Sequence, residues 1–422
     1  MRILIISNTP FLPVTAGNRA RINQMVQYLL EHGADVGMLM LPAADLAEWD
    51  VEAMRARLSY FEIATPPAGA SPAAIRTATF RRLVGPMVGR IRRAMRRPMP
   101  RPQQPIGVDD WCPLWFRACT TRVTEEWAPD VAVIEYVFLS ACLEHFVKTP
   151  THSALRVIDT HDIMHRRREE YTTAGLAPQW FHTTYAEERR GLGRADVVLA
   201  ISEADASVLR EMLPQGTVLT VPHGYAVQPA PSEEPLPHRL LFVASYNDLN
   251  VRGLQWFLDE VWPQLSASAP DVELVVCGNI CEKLGAVPAG VSVRGFVPSL
   301  AAEYARARVV INPVHAGTGL KVKIIEALCH GRPVVSTRSG TAGIGAGGAK
   351  GVVVADTASE FGAAVRHLFD DSSWHTRLSA AATAHATRYF SPEAAFAPLM
   401  GHLAALLSDR RGYGYAPTIP SR

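Results

Sequence analysis

Lysine is scarce in this chain. Among 422 residues there are only five, at 148, 283, 321, 323 and 350, so two of the five stand two positions apart. Cysteine is scarce as well. The six cysteines (112, 119, 142, 277, 281 and 329) are scattered and build no Cys/His set with zinc spacing. That excludes a disulfide framework or zinc module and fits reduced, mostly buried thiols of a cytosolic protein. No apolar run approaches the roughly 18 residues of a membrane span. The opening MRILIISNTP is too short in its apolar part for a secretory signal and reads as a buried first strand. Acid is missing from one place: between Ile63 and Val108 there is no Asp or Glu, while nine arginines (76, 81, 82, 90, 92, 93, 96, 97 and 101) fall there. The net charge is nevertheless only +2, so nothing draws the whole chain to nucleic acid.

What is present is α/β patterning. A chain of 422 residues predicts two domains of roughly 200 residues each. Apolar strands at Ile3–Ile6, Asp35–Leu41, Val131–Glu135, Leu155–Asp159, Val197–Ile201 and Val218–Val221 alternate with helical segments, the first from Asn18 to Glu31. Continuous apolar strands of this kind imply a parallel sheet covered on both faces. Gln228–Pro237, QPAPSEEPLP, is the linker candidate. A second alternating series follows, with strands at Arg239–Ala244, Val272–Cys277, Val291–Arg294, Val309–Ile311, Val334–Thr337 and Gly351–Val354. Helices are expected at Val251–Leu265, Leu300–Ala307, Leu320–Cys329, Ser359–Phe369, Trp374–Tyr389 and Pro392–Leu407. Two doubly wound halves place ligands in the cleft between them, at the C-terminal ends of the strands.

The paired lysines carry the chemistry. NPVHAGTGLKVKIIEALCHGRPVVST, from Asn312 to Thr337, reads as a Gly-containing loop, a helix with Ile324, Ile325 and Leu328 on its apolar face, a stop at His330-Gly331, and a strand. A helix start with free N–H groups attracts phosphate. Lys321 and Lys323 in its first turn oppose the helix dipole unless an anion completes the site. Glu326, a turn later, can accept from a sugar diol. These parts suggest a nucleoside-diphosphate site. Spacing alone fits equally well a surface helix with an i,i+3 Lys323–Glu326 pair.

These residues resemble a known family. LFVASYNDLNVRGLQWFLDEVWPQL (241–265), VSVRGFVPSLAAEYARARVVINP (291–313) and GTGLKVKIIEALCHGRPVVST (317–337) are similar, in order and spacing, to the donor-binding domain of bacterial glycosyltransferases with the GT-B fold. The group is the large retaining one called family 4, or "glycosyl transferases group 1". Weaker echoes in the first half are Pro13–Arg21 with Gly17, HGADV (32–36), VIDTHD (157–162), ADVVLAISEAD (195–205) and VPHGY (221–225).

The resemblance implies two facing Rossmann-like domains, with the C-terminal helix crossing back to the first. The expected bounds are 1–227 for an acceptor-side domain with an Arg-rich insertion at about 63–108, 228–237 for the linker, 238–390 for the donor domain and 391–422 for the last helix and tail. It implies a cytoplasmic, metal-independent, hexosyltransferase-like enzyme without cofactor. Its partners are a nucleotide-diphosphate sugar and an unknown acceptor, which attacks the front face of the sugar while the donor phosphate takes the acceptor's proton. By position, Glu326 holds the ribose. Lys321 and Lys323, with Thr318 and Gly319, meet the diphosphate and sugar, Lys323 as a catalytic cation. His161 at a strand end faces the reacting centre as the second catalytic group. Gly17 closes over that centre, and Arg252 matches a basic residue of the donor loop. Two departures stand out: Ser245 replaces a common Arg, and Thr318 stands where many relatives place an acid. The chain also lacks the Asp-x-Asp that holds a bridging Mg²⁺ in the other major glycosyltransferase fold.

Two other functions fit the same fold: a sugar-nucleotide epimerase, for which no acid–base pair stands out, and a catalytically silent sugar-nucleotide binder, motivated by Thr318. Ser202 and Asn250 read as helix N-caps, and Arg166, Arg167 and Arg168 as a solvated helix face. The Arg76–Arg101 segment intersperses Leu83, Val84, Met87, Val88, Ile91 and Met95 with arginines, a composition that suits peripheral contact with an anionic membrane, a phosphorylated acceptor or a surface loop.

Overall fold

A computed structural model of the chain describes residues 1–43, 46–67, 107–146, 154–176, 181–228, 234–317, 321–344 and 350–412. Thr318, Gly319 and the Arg76–Arg101 segment lie outside the described residues, and so do the expectations attached to them.

Among the described residues thirteen strands form two parallel sheets. In the first, β1 (Arg2–Ser7), β2 (Asp35–Met40), β3 (Tyr60–Ile63), β4 (Val131–Glu135), β5 (Leu155–Asp159), β6 (Val197–Ala200) and β7 (Thr217–Thr220) take the order β3-β2-β1-β4-β5-β6-β7. In the second, β8 (Arg239–Val243), β9 (Glu273–Cys277), β10 (Val291–Gly295), β11 (Val309–Asn312), β12 (Val334–Ser336) and β13 (Val352–Val354) take the order β10-β9-β8-β11-β12-β13. The order reverses beside β1 in one sheet and beside β8 in the other. There the loops leaving the C-terminal strand ends splay apart and leave room for a ligand.

The strands are continuous apolar runs because both faces are covered. Leu4, Ile6, Ile134 and Ile158 pack on one side of the first sheet and Ile3, Ile5, Val133 and Val157 on the other. Leu240, Phe242 and Val276 divide from Leu241, Val275 and Cys277 in the same way in the second. The short β3 escaped the sequence reading, since four half-buried residues give little periodicity. The last helix, Pro392–Gly412, does cross back: Phe396, Leu399 and Leu403 join the core of the first domain, and Tyr28 donates to Glu393 at 2.8 Å. Among the described residues no helix is long and apolar enough to cross a membrane.

Two local devices shape the ligand-facing ends. The helix expected at Val251–Leu265 starts earlier, at Asp248, because Asn247 caps it, accepting from the Asn250 N–H at 2.7 Å. It widens into a π turn at Phe257–Val261 just before Pro263, which has no N–H to donate back. The helix after the Gly-containing loop, Val322–Cys329, ends at His330 with Gly331 at φ +63°, a left-handed stop.

Candidate functional site

A cavity of about 320 Å³ lies between the two sheets, at the ends of β1, β5, β8, β9 and β11. Its second-domain wall is the start of helix Val322–Cys329. Ile324, Ile325 and Leu328 point into the core, so Lys323 and Glu326 face the cavity. Lys323 Nζ donates to Asn250 Oδ1 at 2.8 Å and sits 4.9 Å from the centre of the Phe242 ring. Asn250 Nδ2 in turn donates to the Ser245 carbonyl at 2.8 Å. Asn250 is therefore not the cap but the residue that aims Lys323. Burial, with Lys321 nearby, pushes the Lys323 ammonium down to about 7, although Glu326 opposes this. Burial pushes the Glu326 carboxyl up to about 7, against the Tyr304 hydroxyl 3.1 Å away and Lys323. Both groups are thus poised near neutrality. An anion beside Lys323 would raise its pKa and draw a proton onto it.

Lys321 occupies the position before the helix and donates to the Gly317 carbonyl at 2.8 Å. Burial lowers its pKa, while Asp162, Glu170 and Asp205 of the first domain oppose the shift. It faces both domains. Gly17 opens the first helix of the first domain and also lines the cavity. A Cβ there would stand 3.0 Å from Val322 Cγ2, so a side chain would press the two domains apart.

His161 is not among the described residues that line the cavity. It is 7% exposed and stacked on Tyr136 at 4.2 Å, and its Nε2 pairs with Glu135 Oε2 at 2.5 Å. Both His161 (φ +56°) and Tyr136 (φ +68°) adopt left-hand backbone that turns their side chains inward. Asp159 completes the cluster, taking both arms of the Arg21 guanidinium at 2.7 Å. Burial raises the Glu135 pKa; it also works against ionised Asp159, but Arg21 and His161 outweigh it and hold Asp159 low. Glu135, Asp159 and His161 are close enough to surround a cation. Arg21 already supplies positive charge to both Asp159 oxygens, so the residues fit a buried ion network better than a metal site.

The residue that reaches the cavity from this strand end is Asp162, with Arg167 one turn on. Arg167 Nη1 donates to Asp162 at 3.0 Å and its guanidinium lies 5.7 Å from the Tyr171 ring centre. Arg166 and Arg168 do point to solvent. Arg167 differs because Met164, Arg167 and Tyr171 share one face of helix Met164–Thr173, whose other members are buried. That i, i+3, i+7 spacing was the signal available in the sequence. Replacing Arg167 by methionine is expected to weaken nucleoside-diphosphate binding about three- to tenfold, modest because the arginine is already paired. Calorimetry that shows no change would make it a wall residue only.

Arg252 also departs from expectation. Its side chain is exposed, donates to the Ala174 carbonyl of the first domain and lines a different cavity. On helix Asp248–Trp256, position 252 faces outward while Asn250 lines the first cavity. Ser202 is an N-cap as expected, accepting from the Asp205 N–H at 3.1 Å.

Comparison with known proteins follows the geometry. Residues 237–371 match the family model described as "Glycosyl transferases group 1". A Klebsiella pneumoniae protein described as "Uncharacterized 44.6 kDa protein in cps region" is 32% identical over 129 residues, 28% of this chain and 33% of that protein. The match thus spans a third of that relative's length. Sucrose-phosphate synthase from Thermosynechococcus elongatus superposes with a TM-score of 0.68 at 17% identity, over 97% of this chain and 100% of that one. A mutant of S. aureus TarM in complex with Fondaparinux, alpha-GlcNAc-glycerol and UDP gives 0.65 at 10%, over 96% and 100%. Anabaena HepE in complex with UDP and glucose gives 0.62 at 13%, over 96% and 100%. At these identities the structures speak for the fold alone. The chain has the two-domain GT-B fold, and its residues 237–371 are similar to the glycosyl transferases group 1 family.

Proposed function

We propose that this protein transfers a sugar from a nucleotide-diphosphate donor to an acceptor hydroxyl, with retention of configuration and without a metal ion. The observation that carries the reading is the helix start at Val322, where Lys321, Lys323 and Glu326 share one wall of the interdomain cavity. Glu326 would hold the ribose hydroxyls. The lysines, with Arg167 opposite, would hold the diphosphate. In the reaction the bond from the anomeric carbon to the diphosphate oxygen breaks, leaving its electron pair on the diphosphate. The acceptor oxygen bonds to that carbon, and its proton passes to a leaving phosphate oxygen. The protein's part is electrostatic: cations already in place meet charge as it develops. UDP bound in TarM and HepE, on the same fold, supports a nucleotide donor.

Two domains contribute unequally. Most of the proposed nucleotide contacts, Lys321, Lys323 and Glu326, come from the second domain, whereas Gly17, Asp162 and Arg167 come from the first. The reacting centre is therefore complete only when the cleft is closed. The test is turnover of UDP-, GDP-, TDP- and ADP-sugars with a panel of hydroxyl acceptors, followed by release of nucleoside diphosphate. Release is expected to continue in EDTA, since protein cations take the role a metal would have. Loss of activity in EDTA that Mg²⁺ or Mn²⁺ restores would overturn the metal-free part. No sugar transfer from any donor, by a protein that binds nucleoside diphosphate, would favour the silent binder.

A further inference from the structure

We propose that a second cavity beside the first is the acceptor subsite, and that it takes a neutral, hydroxyl-rich sugar; this rests on the transferase reading above. The cavity has a volume of about 710 Å³, within the usual range for small-molecule sites. It lies between helix Met164–Thr173 of the first domain and the helix beginning at Asp248 of the second. Leu249, Ala316 and Gly317 line both cavities, so the two adjoin along these residues.

Its chemistry is that of a sugar site. Trp256 offers an aromatic wall, held at right angles between His315 (4.4 Å) and Phe361 (5.8 Å). Such a ring packs on the C–H face of a pyranose. Glu170 supplies the polar side. It is half-buried and lines the cavity, and its Oε2 has no hydrogen-bond partner, so a turn of the carboxylate toward the cavity would let a ligand hydroxyl satisfy it. A sugar supplies such a hydroxyl. Burial raises the Glu170 pKa, with Lys321 and the Gly317 N–H opposing, which places this carboxyl at the boundary between the cavities.

Charge decides the class. Among the described residues the cavity carries two carboxylates, Glu169 and Glu170, against one cation, Arg252, whose guanidinium is engaged by the Ala174 carbonyl. A phosphorylated or carboxylated acceptor would face net repulsion here, and an uncharged glycan end would not.

The test is saturation-transfer NMR on the full chain, with methyl glycosides of glucose, galactose, mannose and N-acetylglucosamine as probes and glucose 6-phosphate as the anionic comparator. At least one methyl glycoside is expected to bind and glucose 6-phosphate is not. Glu170→Gln and Trp256→Leu should each weaken that binding by about tenfold or more, while the nucleoside-diphosphate dissociation constant stays within about twofold. Glu170→Gln is isosteric and keeps the test available if the tryptophan variant does not fold. No glycoside binding, binding untouched by Glu170→Gln, or preference for the phosphorylated sugar would each overturn the proposal. Glycosides are tested with and without nucleoside diphosphate. Failure of the nucleotide to bind would count against the donor site, and the glycoside result still reads this one.

Discussion

Replacing Lys323 with methionine is expected to lower kcat/KM by about 10²–10³, the loss seen when one preorganised group is removed from a developing charge. Methionine keeps the length and the apolar stem over the Phe242 ring, so a fold defect is not expected. The effect should fall on turnover more than on nucleoside binding. A second signature separates charge from packing. The Lys323 ammonium titrates near 7, and so does the Glu326 carboxyl. At pH 8 the lysine is mostly neutral and the carboxyl mostly ionised. A diphosphate raises the lysine pKa, so binding at pH 8 takes up a proton, and little is released from Glu326. Calorimetry in buffers of different ionisation enthalpy should therefore show net proton uptake in the native protein and none in Lys323→Met. Equal uptake in both proteins, with normal turnover, would make Lys323 a wall residue of the cavity with no charge role.

Replacing Glu326 with glutamine should weaken nucleotide binding by about 1.5–3 kcal/mol, roughly ten- to a hundredfold, because a charge-assisted acceptor for the ribose is lost. Glutamine has nearly the same shape and can still accept from Tyr304, which isolates the charge. The loss should be similar for nucleoside and nucleoside diphosphate, unlike that at the lysines, which should need the phosphates. An unchanged affinity in a folded variant would remove the ribose role and leave the cavity without its nucleoside end.

Much of this was legible in the chain itself. The strands β1, β4 and β5 were placed to within a residue because runs such as Ile3–Ile6 are apolar throughout, as only doubly covered strands are. The helix bearing Lys323 and Glu326 was legible because Ile324, Ile325 and Leu328 mark its buried face, which leaves the charged pair only one way to point. Side-chain direction in loops was not legible. Nothing in VIDTHD says that residue 161 has positive φ, and that angle sends the histidine down to Glu135 while Asp162 takes the cleft. Glu135 lies on a neighbouring strand, a contact with no local signature. Asn247 and Asn250 were interchangeable as caps by type, and only the fold shows that the second reaches Lys323. Nor does sequence show that Arg252 is exposed and lines the second cavity rather than the first. The second cavity draws on segments from residue 169 to residue 342, a long-range arrangement that no window of sequence contains.

The most direct measurement of the central claim is a crystal structure after soaking with UDP-, GDP-, TDP- and ADP-sugars. The account predicts one nucleotide in the interdomain cavity, its ribose hydroxyls on Glu326, its diphosphate within hydrogen-bond reach of Lys323 Nζ, and its sugar beside Gly317. A nucleotide bound elsewhere, or lying in this cavity with its phosphates away from Lys321 and Lys323, would contradict it.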